Sequence, residues 1–166
     1  MALREILKWP DERLSEVCAP VTAGEDIDEL VMDLFETMYA APGRGLAAPQ
    51  IGVMKRILVT DTTWKEGKRS PIAFINPRIS QHAETPMTHE EGCLSIPGLM
   101  IPVTRPEWVA LEWVTPDGDG AARKFEGFAA ACVCHELDHL NGIVTLDHLD
   151  DAERAAAEAA YAERRA

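Results

Sequence analysis

The segment His135–His139 constrains the fold of this chain most, because its polar side chains can act together only if they lie on one face of a helix. Its sequence, HELDH, is an instance of the pattern H-E-x-x-H. Residues four apart lie on the same helix face, so His135 and His139 can both point at one metal ion. Glu136 lies one step around the helix and could take a proton from a nearby water. The alternative is a pair of helix histidines without a ligand role.

A cysteine earlier in the chain offers a third metal ligand. Catalytic zinc-type sites use three protein ligands and leave a position open. Cys93 lies in the segment EGCLS, residues 91–95, where glycine and the turn residues that follow indicate a sharply bent backbone beside a strand. A thiolate there would complete a Cys-His-His set. A free cysteine is more often a small buried hydrophobe, which is the role expected for Cys18, Cys132 and Cys134.

Three motifs, in this order, resemble those of the peptide deformylase family. Residues 43–50, GRGLAAPQ, resemble the family's G-x-G-x-A-A-x-Q, residues 91–95 match E-G-C-x-S, and residues 135–139 match H-E-x-D-H. The resemblance extends from PDERL at residues 10–14 to LDHL at residues 146–149. It implies a single catalytic domain over residues 1–166.

The resemblance implies a divalent metal ion held by Cys93, His135 and His139. Members of the family use Fe(II), which is the first expectation here, and many work with nickel, cobalt or zinc. The thiolate offsets part of the charge of the cation, and a soft ligand suits iron as well as zinc or nickel. The sequence does not choose between these metals.

The resemblance also implies a reaction, the hydrolysis of the N-terminal formyl group of N-formylmethionyl peptides on newly made proteins. Glu136 would act as the general base and then protonate the leaving amine. The side chain of Gln50 and the backbone N–H of Leu94 would donate hydrogen bonds to the oxyanion of the tetrahedral intermediate.

In the family, the glycine loop and the strand before the cysteine bind an extended peptide through main-chain hydrogen bonds. An arginine often lies near the peptide, and a plain surface arginine is the alternative at that position. A supporting role for Asp138 beside the metal and a helix-end or packing role are both open. The expected substrate-binding residues are Gly43, Arg44, Gly45, His89, Gly92 and Arg105.

The sequence departs from the family pattern at three positions. Arg44 and His89 replace residues that are commonly apolar and help to line the pocket for the first side chain, and Cys134 replaces a usual glutamine. The stem of Arg44 could cover apolar surface with its charged end in water, which would leave the pocket apolar. If Arg44 points inward instead, the substrate differs from ordinary formyl-methionyl peptides.

Three other functions compete with deformylation. A divergent relative could remove another acyl group or act on other peptides, and a catalytically weak member could only bind chain N-termini. The presence of Glu136 and Gln50 argues against the weak binder. A generic zinc protease would need a third ligand downstream of the helix motif, where His148 is the only candidate.

Composition limits the cellular context. The net charge of −12 argues against general nucleic-acid binding, and a ribosome contact would need a local basic patch. Four irregularly spaced cysteines do not form a disulfide framework. The start, MALREILKWP, has no apolar signal core, and no stretch is long enough for a membrane span. We expect a soluble, monomeric, cytoplasmic protein.

The hydrophobic pattern predicts an α+β fold, with small antiparallel or mixed sheets packed around a central metal-binding helix. An amphipathic helix is expected at 26–40, the metal helix at about 128–140, and a C-terminal helix after a capping box formed by Asp150 and Glu153. Strands are expected at 56–60 and 72–80, the second with a bulge or an edge position at Asn76-Pro77. A hairpin is expected from 108–114 and 121–126.

Overall fold

Helix α2 packs against strands of two separate sheets. The structure is a computed structural model that describes residues 2–165. The helices are α1 (Asp28–Ala40), α2 (Gly127–Leu140) and α3 (Asp151–Arg165). The strands are β1 (Gly45–Ala47), β2 (Ile57–Thr60), β3 (Ile72–His82), β4 (Pro86–Cys93), β5 (Ile96–Pro106), β6 (Trp108–Val114) and β7 (Gly120–Glu126). Single 3-10 turns occupy Glu12–Ser15, Ala48–Ile51, Trp64–Glu66 and Thr145–His148.

The strands form two antiparallel sheets. The larger has five strands in the order β1-β2-β3-β6-β7, and the smaller is the hairpin of β4 and β5. The β4–β5 hairpin lies outside the main sheet, so β6 pairs with β3 there. All other neighbours in the two sheets are consecutive in the chain. The α+β class, the central helix and the two flanking helices are confirmed.

The predicted interruption of β3 is a bulge. β3 has β2 and β6 on its two sides, so it is an inner strand and the register shifts between Ile75 and Arg78. Asn76 takes a positive φ of 51° there. Its side-chain amide donates to the carbonyl of Val21 at 3.0 Å and accepts from the Val21 N–H at 2.8 Å, which anchors the preceding segment to the sheet.

The helices follow the sequence pattern closely. In α1, the apolar stripe buries Leu34 and Met38 completely against the inner strands. α3 opens with the predicted capping box, since the Glu153 N–H donates to the Asp150 carboxylate at 2.8 Å and the Asp150 N–H donates to Glu153 at 3.3 Å. Both caps satisfy backbone donors that the first turn would leave unpaired.

Helix α2 contributes to the main core through its apolar side. Val133, Leu137 and Leu140 pack with Phe74 and Leu111 of the five-stranded sheet. The β4–β5 hairpin covers a separate core cluster that includes Ile96, Ile101, Leu146 and Tyr161. The polar side of α2 is thereby directed at the gap between the hairpin and β1. Within residues 2–165, no helix is both long and apolar enough to span a membrane.

Candidate metal centre and active site

The three predicted ligands converge in the space between α2 and the β4–β5 hairpin. The ligand atoms of Cys93, His135 and His139 all lie within 4.8 Å of one another, and Cys93 Sγ is 3.4 Å from His139 Nε2. All three residues are buried. Ligand atoms that share one ion at zinc-type bond lengths lie roughly 3–4 Å apart, and the separation between Cys93 and His139 falls in that range.

The orientation of His135 is set by a carboxylate on the hairpin. Glu91 Oε1 lies 2.9 Å from His135 Nδ1, which directs Nε2 toward the ligand cluster. Arg105 donates to both oxygens of Glu91, at 2.7 and 2.9 Å. Burial alone would raise the pKa of Glu91, but the hydrogen bonds from Arg105 and His135 outweigh it and lower the pKa to about 2. Glu91 is therefore a fixed anion that supports the imidazole.

Arg105, which was expected among the substrate-binding residues, serves this support and is not one of the residues that line the cleft. Its side chain is only 6 % exposed, and its third nitrogen donates to Asp138 at 3.0 Å. Asp138 also lies 2.8 Å from His148 Nε2. Because the side chain of Arg105 points inward from β5, its guanidinium forms internal ion pairs with Glu91 and Asp138. His148 belongs to this chain of contacts and lies outside the ligand cluster.

Glu136 has the properties of a proton carrier. Its side chain is buried, and its Oε1 atom has no hydrogen-bond partner among the described residues. Burial raises the pKa of Glu136 to about 7. A carboxylate with that pKa exchanges protons readily near neutrality. Its other oxygen lies against Gly45, where an added Cβ would be 2.6 Å from Oε2.

Gln50 is held in one orientation by two hydrogen bonds. Its Oε1 accepts from the Ala47 N–H at 2.9 Å, and its Nε2 donates to Ser95 Oγ at 3.1 Å. The same Nε2 lies 3.9 Å from Cys93 Sγ, so the amide donor faces the ligand cluster. Ser95 is completely buried. Sequence reasoning gave Ser95 no role, although it is the last residue of the E-G-C-x-S motif.

A cleft of about 740 Å³ opens over this cluster. Its two walls come close together at Gly43 and Leu94. An added Cβ at Gly43 would lie 2.7 Å from Leu94 Cδ1. A side chain at this position would displace the Leu94 side chain. The sequence-predicted residues that line the cleft are Gly43, Arg44, Gly45, Gln50, Gly92, Cys93, Leu94, His135 and Glu136.

His89, which was expected among the substrate-binding residues, is not one of the residues that line the cleft. It lies on β4 opposite Val103, four residues before Cys93, and its side chain is exposed. β4 has β5 as its only strand neighbour, and the cleft lies at the Cys93 end of the strand.

Arg44 lines the cleft, but its charged group turns away from the ligand cluster. The guanidinium donates to the carbonyl of Thr62 and to Glu66 Oε1, each at 3.0 Å. It also lies 5.3 Å from the ring centre of Phe128. The side chain is 29 % exposed. The stem covers the wall of the cleft while the charge is satisfied outside it.

Several cleft residues were missed by sequence reasoning. Phe128 and Cys132 precede Glu136 by eight and four residues, so helical spacing could have placed them on the same face. Burial raises the pKa of the Cys132 thiol well above its usual range, so this side chain is a neutral wall. Lys8 and Lys65 also line the cleft. No local pattern marks them, because long-range packing brings them there.

Comparison with known proteins places these features in a family. The family model described as polypeptide deformylase matches residues 3–155. A peptide deformylase of Rhizobium meliloti is 43 % identical over 155 residues, which cover 93 % of this chain and 89 % of that protein. One from Rhodopseudomonas palustris is 46 % identical over 158 residues, covering 93 % and 90 %.

Solved structures agree over the whole fold. A peptide deformylase from Legionella pneumophila superposes with a TM-score of 0.91 at 39 % identity, covering 99 % of this chain and 96 % of that one. A peptide deformylase from Ehrlichia chaffeensis, in complex with actinonin, gives a TM-score of 0.89 at 38 % identity with full coverage of both chains. The sequence matches and the shared fold show that this chain belongs to the peptide deformylase family.

Proposed function

We propose that this chain removes the formyl group from N-formylmethionyl peptides with one divalent cation held by Cys93, His135 and His139. One observation carries the proposal: the three ligand atoms converge at the floor of a cleft beside Glu136, a buried carboxylate whose Oε1 has no hydrogen-bond partner among residues 2–165. Membership of the peptide deformylase family supports the same reaction.

The residues divide the chemistry between them. A bound divalent cation would supply a Lewis acid that lowers the pKa of water at the cluster. Glu136 accepts a proton from that water, whose oxygen forms a bond to the formyl carbon. Gln50 Nε2 and the Leu94 N–H donate to the oxyanion that develops on the former carbonyl oxygen. Glu136 then returns the proton to the amine as the carbon–nitrogen bond breaks, which releases formate and a free N-terminus.

The walls of the cleft orient the peptide. The backbone of residues 43–45 and of Gly92 lies at its edges and can pair with an extended chain, as in strand addition. The first side chain would contact the apolar wall formed by Phe128, Ala131 and Cys132. Since the Arg44 charge is directed outward, this wall suits an unbranched apolar side chain such as methionine.

We propose Fe(II) as the native metal, with zinc, nickel and cobalt as the alternatives. A Cys-His-His set combines one soft thiolate with two imidazoles, which suits all of these ions. Metal analysis of protein purified without oxygen would identify the ion. Zinc as the sole metal in active anaerobic protein would contradict the proposal of iron.

We further infer that residues 1–166 form one catalytic domain, which acts as a monomer in the cytoplasm on nascent chains. A transient contact with the ribosome would bring it to this substrate. Sedimentation of the purified protein, alone and with ribosomes, tests the monomeric state and the ribosome contact. A stable dimer would contradict the monomer, and absence from the ribosomal pellet would contradict the contact.

The decisive experiment separates ligand from base. Cys93→Ala should reduce metal content to near background and abolish turnover of a formyl-Met peptide, whereas Cys18→Ala, a buried free cysteine away from the cluster, should keep the metal. Glu136→Ala should keep the metal and lose turnover. An acetyl-Met peptide serves as the control substrate. Full metal occupancy in Cys93→Ala, or near-normal turnover by Glu136→Ala, would overturn the assignment.

A further inference from the structure

The mouth of the cleft carries cations that the proposed chemistry does not use. Lys8 comes from the N-terminal segment and Lys65 from the 3-10 turn Trp64–Glu66, and both are exposed lining residues. A third cation, Arg164 of α3, packs on Gly98, a lining residue of the hairpin. Its Nη1 lies 3.0 Å from the position that a Cβ at Gly98 would take.

These three charges have no anionic partner within residues 2–165. No carboxylate there forms an ion pair with Lys8, Lys65 or Arg164, whereas Arg44 is paired with Glu66. The two carboxylates that line the cleft, Glu91 and Glu136, lie at its buried floor, and Glu91 is bound by Arg105. The accessible mouth is therefore cationic.

The sign of this charge is opposite to that of the molecule. The chain carries 28 acidic and 16 basic residues, so a random selection of its charged groups would give an acidic mouth. A cleft lined by one sign of charge focuses the field and raises the local concentration of oppositely charged ligands. The surrounding negative surface would repel the same ligands, so attraction is confined to the mouth.

Both lysines are held near the cleft by contacts of their own. Lys8 Nζ donates to the carbonyl of Ile6, a lining residue, at 2.9 Å. Lys65 Nζ lies 5.8 Å from the ring centre of Trp64, and the Trp64 indole N–H donates to the carbonyl of Gly43 at 2.9 Å. The ammonium groups thus stay beside the path that an extended peptide would follow out of the site.

We propose that the mouth of the cleft selects formylated peptides that carry carboxylates after their first two residues. This inference rests on the proposed function and names its substrate class. The floor of the cleft binds the formyl group and the apolar first side chain. The chain beyond them passes the lysines, where aspartate or glutamate side chains gain attraction that neutral side chains do not.

The test uses a matched pair of amidated peptides, formyl-Met-Ala-Glu-Glu and formyl-Met-Ala-Gln-Gln, so that no terminal carboxylate intervenes. The ratio of their kcat/KM values should favour the glutamate peptide by about three- to tenfold at low salt, as expected for a few exposed ion pairs. The ratio should approach one at about 1 M salt, where the screening length is about 3 Å. A ratio near one at low salt would overturn the proposal.

Charge variants locate the effect. Lys8→Gln and Lys65→Gln should each lower the ratio, and the double variant should bring it close to one. Lys124→Gln, on β7 and outside the cleft lining, removes the same charge and should keep the wild-type ratio. An equal loss in Lys124→Gln would show an effect of net charge alone and would contradict the proposal.

A binding measurement separates this proposal from the proposed function. Metal-loaded Glu136→Ala should bind the uncleaved glutamate peptide more tightly than the glutamine peptide, by a similar factor in Kd. Lack of turnover of both peptides by the wild type would overturn the proposed function, and the Kd ratio would still decide the charge preference. Equal Kd values would overturn the preference and leave deformylation intact.

Discussion

Gln50 Nε2 donates a hydrogen bond to Ser95 Oγ at 3.1 Å, and both side chains are buried. This contact joins the 3-10 turn Ala48–Ile51 to the turn between β4 and β5. The same Nε2 atom lies 3.9 Å from Cys93 Sγ, so the other N–H of the amide is directed at the ligand cluster. Ser95 therefore sets the direction of a group that the proposed mechanism uses.

We expect Ser95→Ala to lower kcat because the Gln50 amide loses its anchor. Loss of one oxyanion donor costs on the order of 10²–10³ in rate, so Gln50→Ala should reach that range and Ser95→Ala about a tenth of it. The double variant should be no slower than Gln50→Ala, since the serine acts through the glutamine. Metal content should be unchanged in all three. Additive losses would show an independent role for Ser95.

Gly45→Ala should reduce turnover strongly while the metal stays bound. A Cβ at this position would lie 2.6 Å from Glu136 Oε2, so the carboxylate must move. We expect a loss of at least tenfold in kcat, because displacement of about 1 Å can cost on the order of 10² in rate. Gly120→Ala, where nothing lies within 4 Å of an added Cβ, is the matched control. Equal activity of the two variants would contradict the close contact.

Arg44 should have little influence on the first side chain of the substrate. Its guanidinium is bound by the Thr62 carbonyl and Glu66, so the wild type should prefer formyl-Met to formyl-Glu peptides. Arg44→Ile should keep that preference. Kinetics on both peptides with both proteins decide the question. A wild type that used both equally, with loss of only formyl-Glu in Arg44→Ile, would mean that Arg44 binds the substrate.

A pH-dependent contribution to stability is expected from Asp33 on α1. Burial would raise the pKa of this carboxyl, but hydrogen bonds from the Ala2 N–H and the Arg4 guanidinium lower it. Since the folded pKa lies below the unfolded value, the stabilisation is present above the unfolded pKa of about 3.9. It is lost as pH falls through the folded pKa.

Asp33→Asn should therefore be less stable than the wild type at pH 7, with a difference that shrinks toward pH 2. Urea unfolding monitored by circular dichroism at several pH values provides the measurement. Asp117→Asn, at an exposed hairpin position, is the control and should show no such trend. A difference in stability that stayed constant with pH would contradict this role of the carboxylate.

Local patterns predicted the elements whose signal lies within one helix or strand. The histidine pair, the α1 stripe and the capping box of Asp150 and Glu153 depend on spacing alone, and the structure has them where spacing put them. The bulge at Asn76-Pro77 was also predictable, because proline cannot donate to the strand ladder.

The remaining features depend on contacts between distant segments. Strand alternation puts Arg105 on the same face as the buried Ile101 and Val103, but its partner does not follow from that. The register sets Arg105 opposite Met87, and only the side-chain geometry shows that it binds Glu91. His89 lies outside the cleft because the pocket ends near Cys93, which no local pattern encodes. Lys8 and Lys65 are brought to the cleft by tertiary packing. The resemblance to peptide deformylases implied roles for residues, but the direction of each side chain could be seen only in the folded structure.

The support of His135 by Glu91 and Arg105 has a consequence for how damage to the site would appear. The residues proposed to hold or orient the cation all come from residues 91–139, whereas Gln50 and the loop at residues 43–45 come from the first third of the chain. Substrate processing therefore draws on both stretches of sequence, and metal retention on the later one alone. Substitution of Gln50 or Gly45 would give an inactive protein that keeps its metal, and substitution of Cys93, His135 or His139 a protein without metal. Metal stoichiometry alone would tell the two kinds of inactive variant apart.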